Sequence, residues 1–264
     1  MKFQIAVKLR RFTPRFPCIY FYGMIDIHCH LLPNIDDGPK SWEESIEMIK
    51  IACGDGIRGA VTTPHWIQGT NWQPTPDTVR GLVDEFNDRI KKEGLDFEVY
   101  PGMEIGIIPD LPRVVSNGDV LTLAGSDFIL IEIPFYNLPL GLEEVIFGLE
   151  TMGKTAVLAH PERNREFQSA PRRIMELVGM GALVQITASS LTGGFGDAAK
   201  GCAIEFAKLG VLHFVSSDAH SKKHRTPVVS NGLAVIEKKI GREAVDDLVS
   251  NTYQIINGRS RATG

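Results

Sequence analysis

Seven short apolar runs alternate with amphipathic stretches along this chain, and that alternation restricts it to parallel β/α units. The runs fall near 24–28, 57–63, 97–104, 127–133, 155–160, 182–188 and 211–217. Helical patterns fall near 41–54, 77–93, 141–152, 171–180 and 196–209, with two more near 231–239 and 241–249. The runs at 127–133 and 155–160 are apolar over most of their length, as parallel strands covered on both faces are. Ser41, with Glu44 three residues on, reads as a capping box, and Gly54 and Gly56 stop that helix before the next strand. A chain of 264 residues of this kind makes either a β/α barrel or an open sheet. No linker, repeat or low-complexity tract interrupts 24–264, which reads as a single domain.

Residues 1–23 differ in character. They hold five basic residues and no acidic one, leaving 23 basic against 32 acidic residues in the rest of the chain. Met24 directly precedes the first strand. The preferred reading is that Met24 is the natural start and 1–23 a dispensable or misassigned basic extension; the alternative is a basic arm toward a membrane surface or an acidic partner. No apolar run is long enough for a membrane span, and no signal-peptide cleavage pattern is present. Four scattered cysteines without C-x-x-C spacing fit a reducing, cytoplasmic setting and exclude a thiolate zinc site. The net charge of −4 argues against general nucleic-acid binding.

The polar residues in the strand runs are placed for chemistry. In a β/α barrel, reactive side chains sit at the carboxyl ends of strands. Here His28 and His30 end the first run, in Ile-Asp-Ile-His-Cys-His, with Asp26 expected on the same side and Cys29 on the other. Asp37 follows in the loop Asn-Ile-Asp-Asp-Gly-Pro. His65 ends the second run, Glu104 the third, Glu132 the fourth and His160 the fifth; Asp218 and His220 end the seventh. The sixth ends in Thr187, Ser189 and Ser190, which are weak ligands. An unpaired carboxylate in an apolar strand, such as Glu132, costs several kcal/mol, so a partner is required.

Four carboxylates gathered at one mouth would repel one another without cations, and three divalent ions with one hydroxide would nearly balance them. Imidazole and carboxylate ligands without thiolate suit Mn²⁺, Fe or Zn²⁺. Such a site, with a bridging hydroxide as nucleophile, suits phosphoester hydrolysis. Arg163 and Arg225 lie in loops after ligand-bearing strands, where guanidinium groups could hold phosphate oxygens. Arg165, Lys222 and Lys223 read as surface charges, and His213 and His224 as structural or loop residues. A Cys-x₅-Arg thiolate motif is absent, because only four residues separate Cys53 and Arg58.

These motifs resemble the polymerase-and-histidinol-phosphatase (PHP) superfamily, and within it the CpsB/YwqE-type (CpsB/CapC) bacterial metal-dependent tyrosine-protein phosphatases. The resemblance rests on Ile-Asp-Ile-His-Cys-His, Asp-Asp-Gly-Pro-Lys-Ser, His65, Glu104, Leu-Ile-Glu, Ala-His-Pro-Glu-Arg and Ser-Asp-Ala-His. It implies a distorted seven-stranded (β/α) barrel, the PHP fold, with a trinuclear site that is often manganese-dependent. His28, His30, Glu104 and Asp218 would hold one metal. Glu104 would bridge to a second, held also by Glu132 and His160, and Asp37, His65 and His220 would hold the third. Arg163 and Arg225 match the phosphate-contacting arginines. The implied substrate is phosphotyrosine on a membrane-associated bacterial tyrosine kinase of capsule or exopolysaccharide synthesis. Two other readings stay open at this stage: a PHP phosphoesterase acting on a small metabolite such as histidinol phosphate, and a non-catalytic metal-binding regulatory protein.

Overall fold

The structure, a computed structural model, describes residues 23–258. The basic extension therefore lies outside the described residues, apart from Gly23. The strands are β1 (Met24–Cys29), β2 (Ile57–Thr62), β3 (His65–Trp66), β4 (Glu98–Pro101), β5 (Glu104–Gly106), β6 (Phe128–Glu132), β7 (Thr155–Ala159), β8 (Leu183–Thr187) and β9 (Phe214–Ser216). The helices are α1 (Trp42–Gly54), α2 (Pro76–Lys92), α3 (Leu111–Asn117), α4 (Leu142–Thr151), α5 (Arg165–Ser169), α6 (Ile174–Gly179), α7 (Ala188–Thr192), α8 (Gly196–Lys208), α9 (Ser230–Lys239) and α10 (Arg242–Asn257).

All strand pairs are parallel, in two sheets ordered β1-β2-β4 and β3-β5-β6-β7-β8-β9. The second expected run is followed by a further short strand, β3, and the third is divided into β4 and β5. The break before β3 falls at Thr63–Pro64, where proline has no N–H to give to a ladder. The third run breaks at Gly102–Met103, where the backbone passes so close to the second run that a Cβ on Gly102 would lie 2.7 Å from Val61 Cγ1. Joining β2 with β3 and β4 with β5 restores seven strands in chain order. The ring then closes at a seam between last and first: Cys29 bridges Ala219, His30 N donates to Ala219 O at 2.8 Å, and Asp218 N donates to His28 O at 2.8 Å. The fold is a distorted seven-stranded β/α barrel.

Inside the barrel, Ile25, Ile27, Val61, Leu130, Val157 and Phe214 form an apolar floor, completed by Leu123 and by Ile255 of α10. The helices cover the outer faces through a larger cluster. α2 shows how: Val79, Val83, Phe86 and Ile90 recur at helical spacing and are buried, each contributing ~2 kcal/mol of apolar transfer. Cys29 packs on this outer side, its thiol 3.4 Å from Val61 O.

Several elements differ from the sequence expectation. Ser41 caps α1 by accepting from Glu44 N, but the Glu44 carboxylate takes Lys40 N, so the box is half formed. The pattern at 171–180 is a 3₁₀ turn (Pro171–Arg173) running into the short α6, and α10 extends to Asn257. The last strand is only Phe214–Ser216, because the His213 side chain takes Val184 N at 3.1 Å in place of a ladder carbonyl. No helix among the described residues is long and apolar enough to cross a membrane.

Candidate metal centre

The nine candidate ligands come to the carboxyl mouth of the barrel together. His28, His30, Asp37, His65, Glu104, Glu132, His160, Asp218 and His220 fall into four overlapping groups, with the ligating atoms of each group within 4.8 Å of one another. The groups are His30, Asp37, His65 and His220; His28, His30 and Glu104; His28, His160 and Asp218; and His65, Glu104 and Glu132. Glu104, fully buried, is the hub. Its carboxylate lies 2.9 Å from His160 Nε2, 3.0 Å from His65 Nδ1, 3.3 Å from His28 Nε2 and 3.4 Å from His30 Nε2. Glu132 lies between His65 and His160, at 3.8 and 3.7 Å. Asp37 reaches His220 at 3.2 Å and His65 at 3.5 Å.

Backbone geometry serves this convergence. His160 and Asp218 both have positive φ, 34° and 51°, a conformation that costs non-glycine residues ~1–3 kcal/mol. His160 also precedes Pro161, which disfavours helical backbone before it. Both residues end strands, and the turn aims their side chains across the mouth.

The electrostatics show what the site lacks in protein groups. Buried atoms of His28 (Nε2), His30 (Nε2), His65 (Nδ1), Glu104 (Oε2), Asp218 (Oδ1) and His220 (Nε2) crowd together at these distances without the angles of a hydrogen bond. Burial opposes ionisation of Glu104, yet His28, His160 and His30 hold its carboxyl well below the usual range. Burial, reinforced by the charge of Glu104, pushes Glu132 up to about 7. Burial and the nearby Arg163 push His160 down to about 4, so its imidazole is neutral and keeps a free lone pair. Against the cost of burial, the carboxylates of Glu104, Asp218 and Asp36 raise His28 and His30, and Glu104 and Glu132 raise His65: the buried space draws positive charge, which divalent cations on these imidazoles and carboxylates would supply.

Asp26 is not among these groups. The β1 register against β2 shifts between Asp26 and Cys29, which breaks the two-residue alternation. Asp26 accepts instead from Ser217 N at 3.1 Å and from the Ser217 hydroxyl, and so ties the seam of the barrel. The expectation that it shares a side with His28 and His30 is corrected accordingly.

Three residues escaped the sequence reading. Asp36, the neighbour of Asp37, accepts from His30 Nδ1 at 2.6 Å and from His65 N at 3.1 Å. Gln185, fully buried in β8, is 2.9 Å from His28 Nδ1 through its carbonyl oxygen. These contacts leave Nε2 of His30 and of His28 aimed at the mouth, as outer partners of metal-site histidines do. Gln185 carried a readable signal, being a polar residue in an apolar strand like Glu132. Phe195 is the third, and it stacks on Arg163, whose guanidinium carbon is 3.6 Å from the ring centroid.

Arg163 and Arg225 meet at Asp218, each with a terminal nitrogen 2.5 Å from Oδ2, while Oδ1 faces the imidazoles. The Nε of each arginine is buried and makes no hydrogen bond, with Glu162 Oε1 4.0 Å from that of Arg163. Arg165 lies over Tyr136, and Lys222, Lys223 and His224 are exposed. Cys53 offers no thiolate: burial raises it, and Arg58 is committed to the Cys53 carbonyl.

Fold and site together define a β/α-barrel protein with a mixed imidazole–carboxylate centre and two arginines at its edge. The family model described as capsular polysaccharide synthesis, CpsB/CapC, matches residues 24–257, and the chain belongs to that family. It is 38% identical over 237 residues to the tyrosine-protein phosphatase YwqE of Bacillus subtilis (strain 168), covering 90% of this chain and 93% of that one. It is 36% identical over 204 residues to the putative tyrosine-protein phosphatase CapC of Staphylococcus aureus, covering 76% and 79%. Among solved structures it is similar to one reported with YwqE from Bacillus subtilis and CpsB from Streptococcus pneumoniae, described as metal-dependent tyrosine phosphatases. The TM-score is 0.86 at 38% identity, over 90% of this chain and 96% of that one.

Proposed function

We propose that this chain is a metal-dependent protein-tyrosine phosphatase holding three divalent ions, manganese in the first place and iron or zinc as alternatives. The observation that carries the reading is the convergence of nine ligand side chains and two arginines on one buried mouth. Family membership supports the same activity. The nine named histidines and carboxylates would hold the ions. Ions bound there supply Lewis acidity toward a phosphoryl group and a water nucleophile active at neutral pH.

The chain's own residues do the rest. Asp36 and Gln185 fix the rings of His30 and His28, so little reorganisation is needed on binding. Asp218 and Phe195 hold the guanidinium of Arg163 in place, and Asp218 holds that of Arg225. Their remaining donors face phosphoryl oxygens and stabilise charge that grows in the transition state. A phenolate leaving group, with a parent pKa of about 10, departs with less proton assistance than an alkoxide. The substrate is phosphotyrosine on a membrane-associated bacterial tyrosine kinase of capsule or exopolysaccharide synthesis, and the enzyme works in the cytoplasm as one domain spanning 24–264.

The test is a substrate panel on protein reconstituted separately with Mn²⁺, Fe²⁺ and Zn²⁺. A phosphotyrosyl peptide should be hydrolysed faster than a phosphoseryl peptide or histidinol phosphate. Negligible turnover with every metal, or a strong preference for histidinol phosphate, would overturn the reading.

A further inference from the structure

Two aromatic side chains stand at the mouth on either side of Glu132. Trp72 stacks on His65, with ring centroids 5.1 Å apart and planes at 13°. Phe135 stacks on His160, at 5.7 Å and 28°. His65 and His160 straddle Glu132, so the two rings extend the walls of the mouth outward from opposite ligands.

A single exposed phenylalanine is ordinary on a protein surface. Phe135 differs in two ways. It is 44% exposed although one face lies against a buried site histidine. Its loop is also pinned to the segment that follows Arg163. Arg165 N donates to Phe135 O at 2.8 Å, Asn164 Nδ2 to Pro134 O at 2.7 Å, and Leu138 N to Glu166 Oε1 at 2.7 Å. The ring is thus fixed between the loop of the phosphate-facing arginine and a ligand imidazole. Trp72 is fixed as well: its carbonyl takes Ile67 N at 2.7 Å, and its own N–H reaches Thr70 Oγ1 at 3.1 Å. Rigid, partly exposed rings with free apolar surface suit an aromatic guest, which stacks offset or edge-on at 4.5–7 Å.

We infer that Phe135 and Trp72 are specificity-determining residues that grip the aryl ring of the substrate, so that the enzyme selects aryl over alkyl phosphate monoesters. The inference rests on the phosphatase reading above. In it, the metal ligands and arginines recognise the phosphoryl group common to all monoesters, and the two rings recognise what is attached to it. An alkyl phosphate such as phosphoserine has no aromatic face to offer the two rings.

The experiment compares phenyl phosphate with a short alkyl phosphate on metal-loaded wild type, Phe135→Ala, Trp72→Ala and Phe135→Tyr, with bound metal and competitive inhibition by inorganic phosphate measured in parallel. Each alanine variant should raise KM for phenyl phosphate by about 5- to 10-fold, as loss of one aromatic contact implies, with kcat changed far less. Metal content and phosphate inhibition should hold, and Phe135→Tyr should keep the aryl preference. Equal losses on aryl and alkyl substrates, or weakened phosphate inhibition, would mean that the rings merely support His65 and His160, and the inference would fall. It would fall equally if aryl preference survived both alanine changes in an active enzyme. A wild type inactive on both monoesters with every metal would bring down the phosphatase reading as well.

Discussion

The floor and the mouth of this barrel are built from the same strands and follow opposite rules. On β6, Leu130 packs into the apolar floor, and two residues on, Glu132 stands among histidines. On β1, Ile25 and Ile27 belong to the floor, while His28 and His30 belong to the mouth. The floor has ordinary packing. The mouth gathers buried polar atoms without hydrogen bonds; backbone strain does not separate the two, since Ala124 of the floor cluster has positive φ as His160 and Asp218 do. Stability and function are therefore separable along the length of each strand, with the floor able to hold in place a mouth that is electrostatically unfavourable by itself.

Removing a mouth ligand should give the largest effect and break the comparison most directly if it does not. His160→Ala should lower phosphotyrosyl-peptide turnover by at least ~1000-fold, about 4 kcal/mol of transition-state stabilisation. Circular dichroism should still report a folded barrel, and retained turnover would remove His160 from the ligand set. The converse change in the floor, Leu130→Ala, should destabilise the fold by ~3 kcal/mol through the cavity it leaves. Denaturant titration would measure that loss, while kcat per folded molecule should stay near wild type. Asp36→Asn and Gln185→Ala act at one remove from the mouth and should weaken metal affinity by ~10–100-fold, read by competition with a chelator.

The smallest effect concerns a histidine near the floor. His213 is partly buried and accepts from Val184 N, and burial pushes it down to about 4 from an ordinary value near 6.5. With the folded pKa depressed, its contribution is fully present above about pH 6.5 and is lost as pH falls toward 4. After allowance for its partial exposure, wild type should lose ~1–2 kcal/mol relative to His213→Gln across that window. Stability measured at pH 7 and pH 4.5 checks this, and a constant difference would assign the titration elsewhere.

Much of this contrast is legible in the sequence because a strand's two-residue period and the position of its carboxyl end are local properties. The alternation located the strands, and polar residues at their ends located the mouth. What the sequence hid depends on contacts made elsewhere in the chain. Asp36 and Asp37 are adjacent and chemically alike, and only the loop's path turns one toward His30 and the other toward His220. Asp26 misled because a register shift in β1 is set by its partner strand. The short helices α3, α5 and α7 were unreadable because five to seven residues span too few turns to show a period. Phe195 precedes α8 and lies far in sequence from the arginine it covers, so no local pattern marks it.

The seam between β9 and β1 has a consequence for how the protein comes into being. Candidate ligands from the first strand and the last become neighbours only when Cys29 meets Ala219. During synthesis, His28 and His30 emerge early and wait for Asp218 and His220, some 190 residues behind them. No partial chain ending before the seventh strand holds all nine candidate ligands, so capture of the proposed ions would be tied to completion of the ring. With that ligand set, the complete centre would exist only in chains whose barrel has already closed.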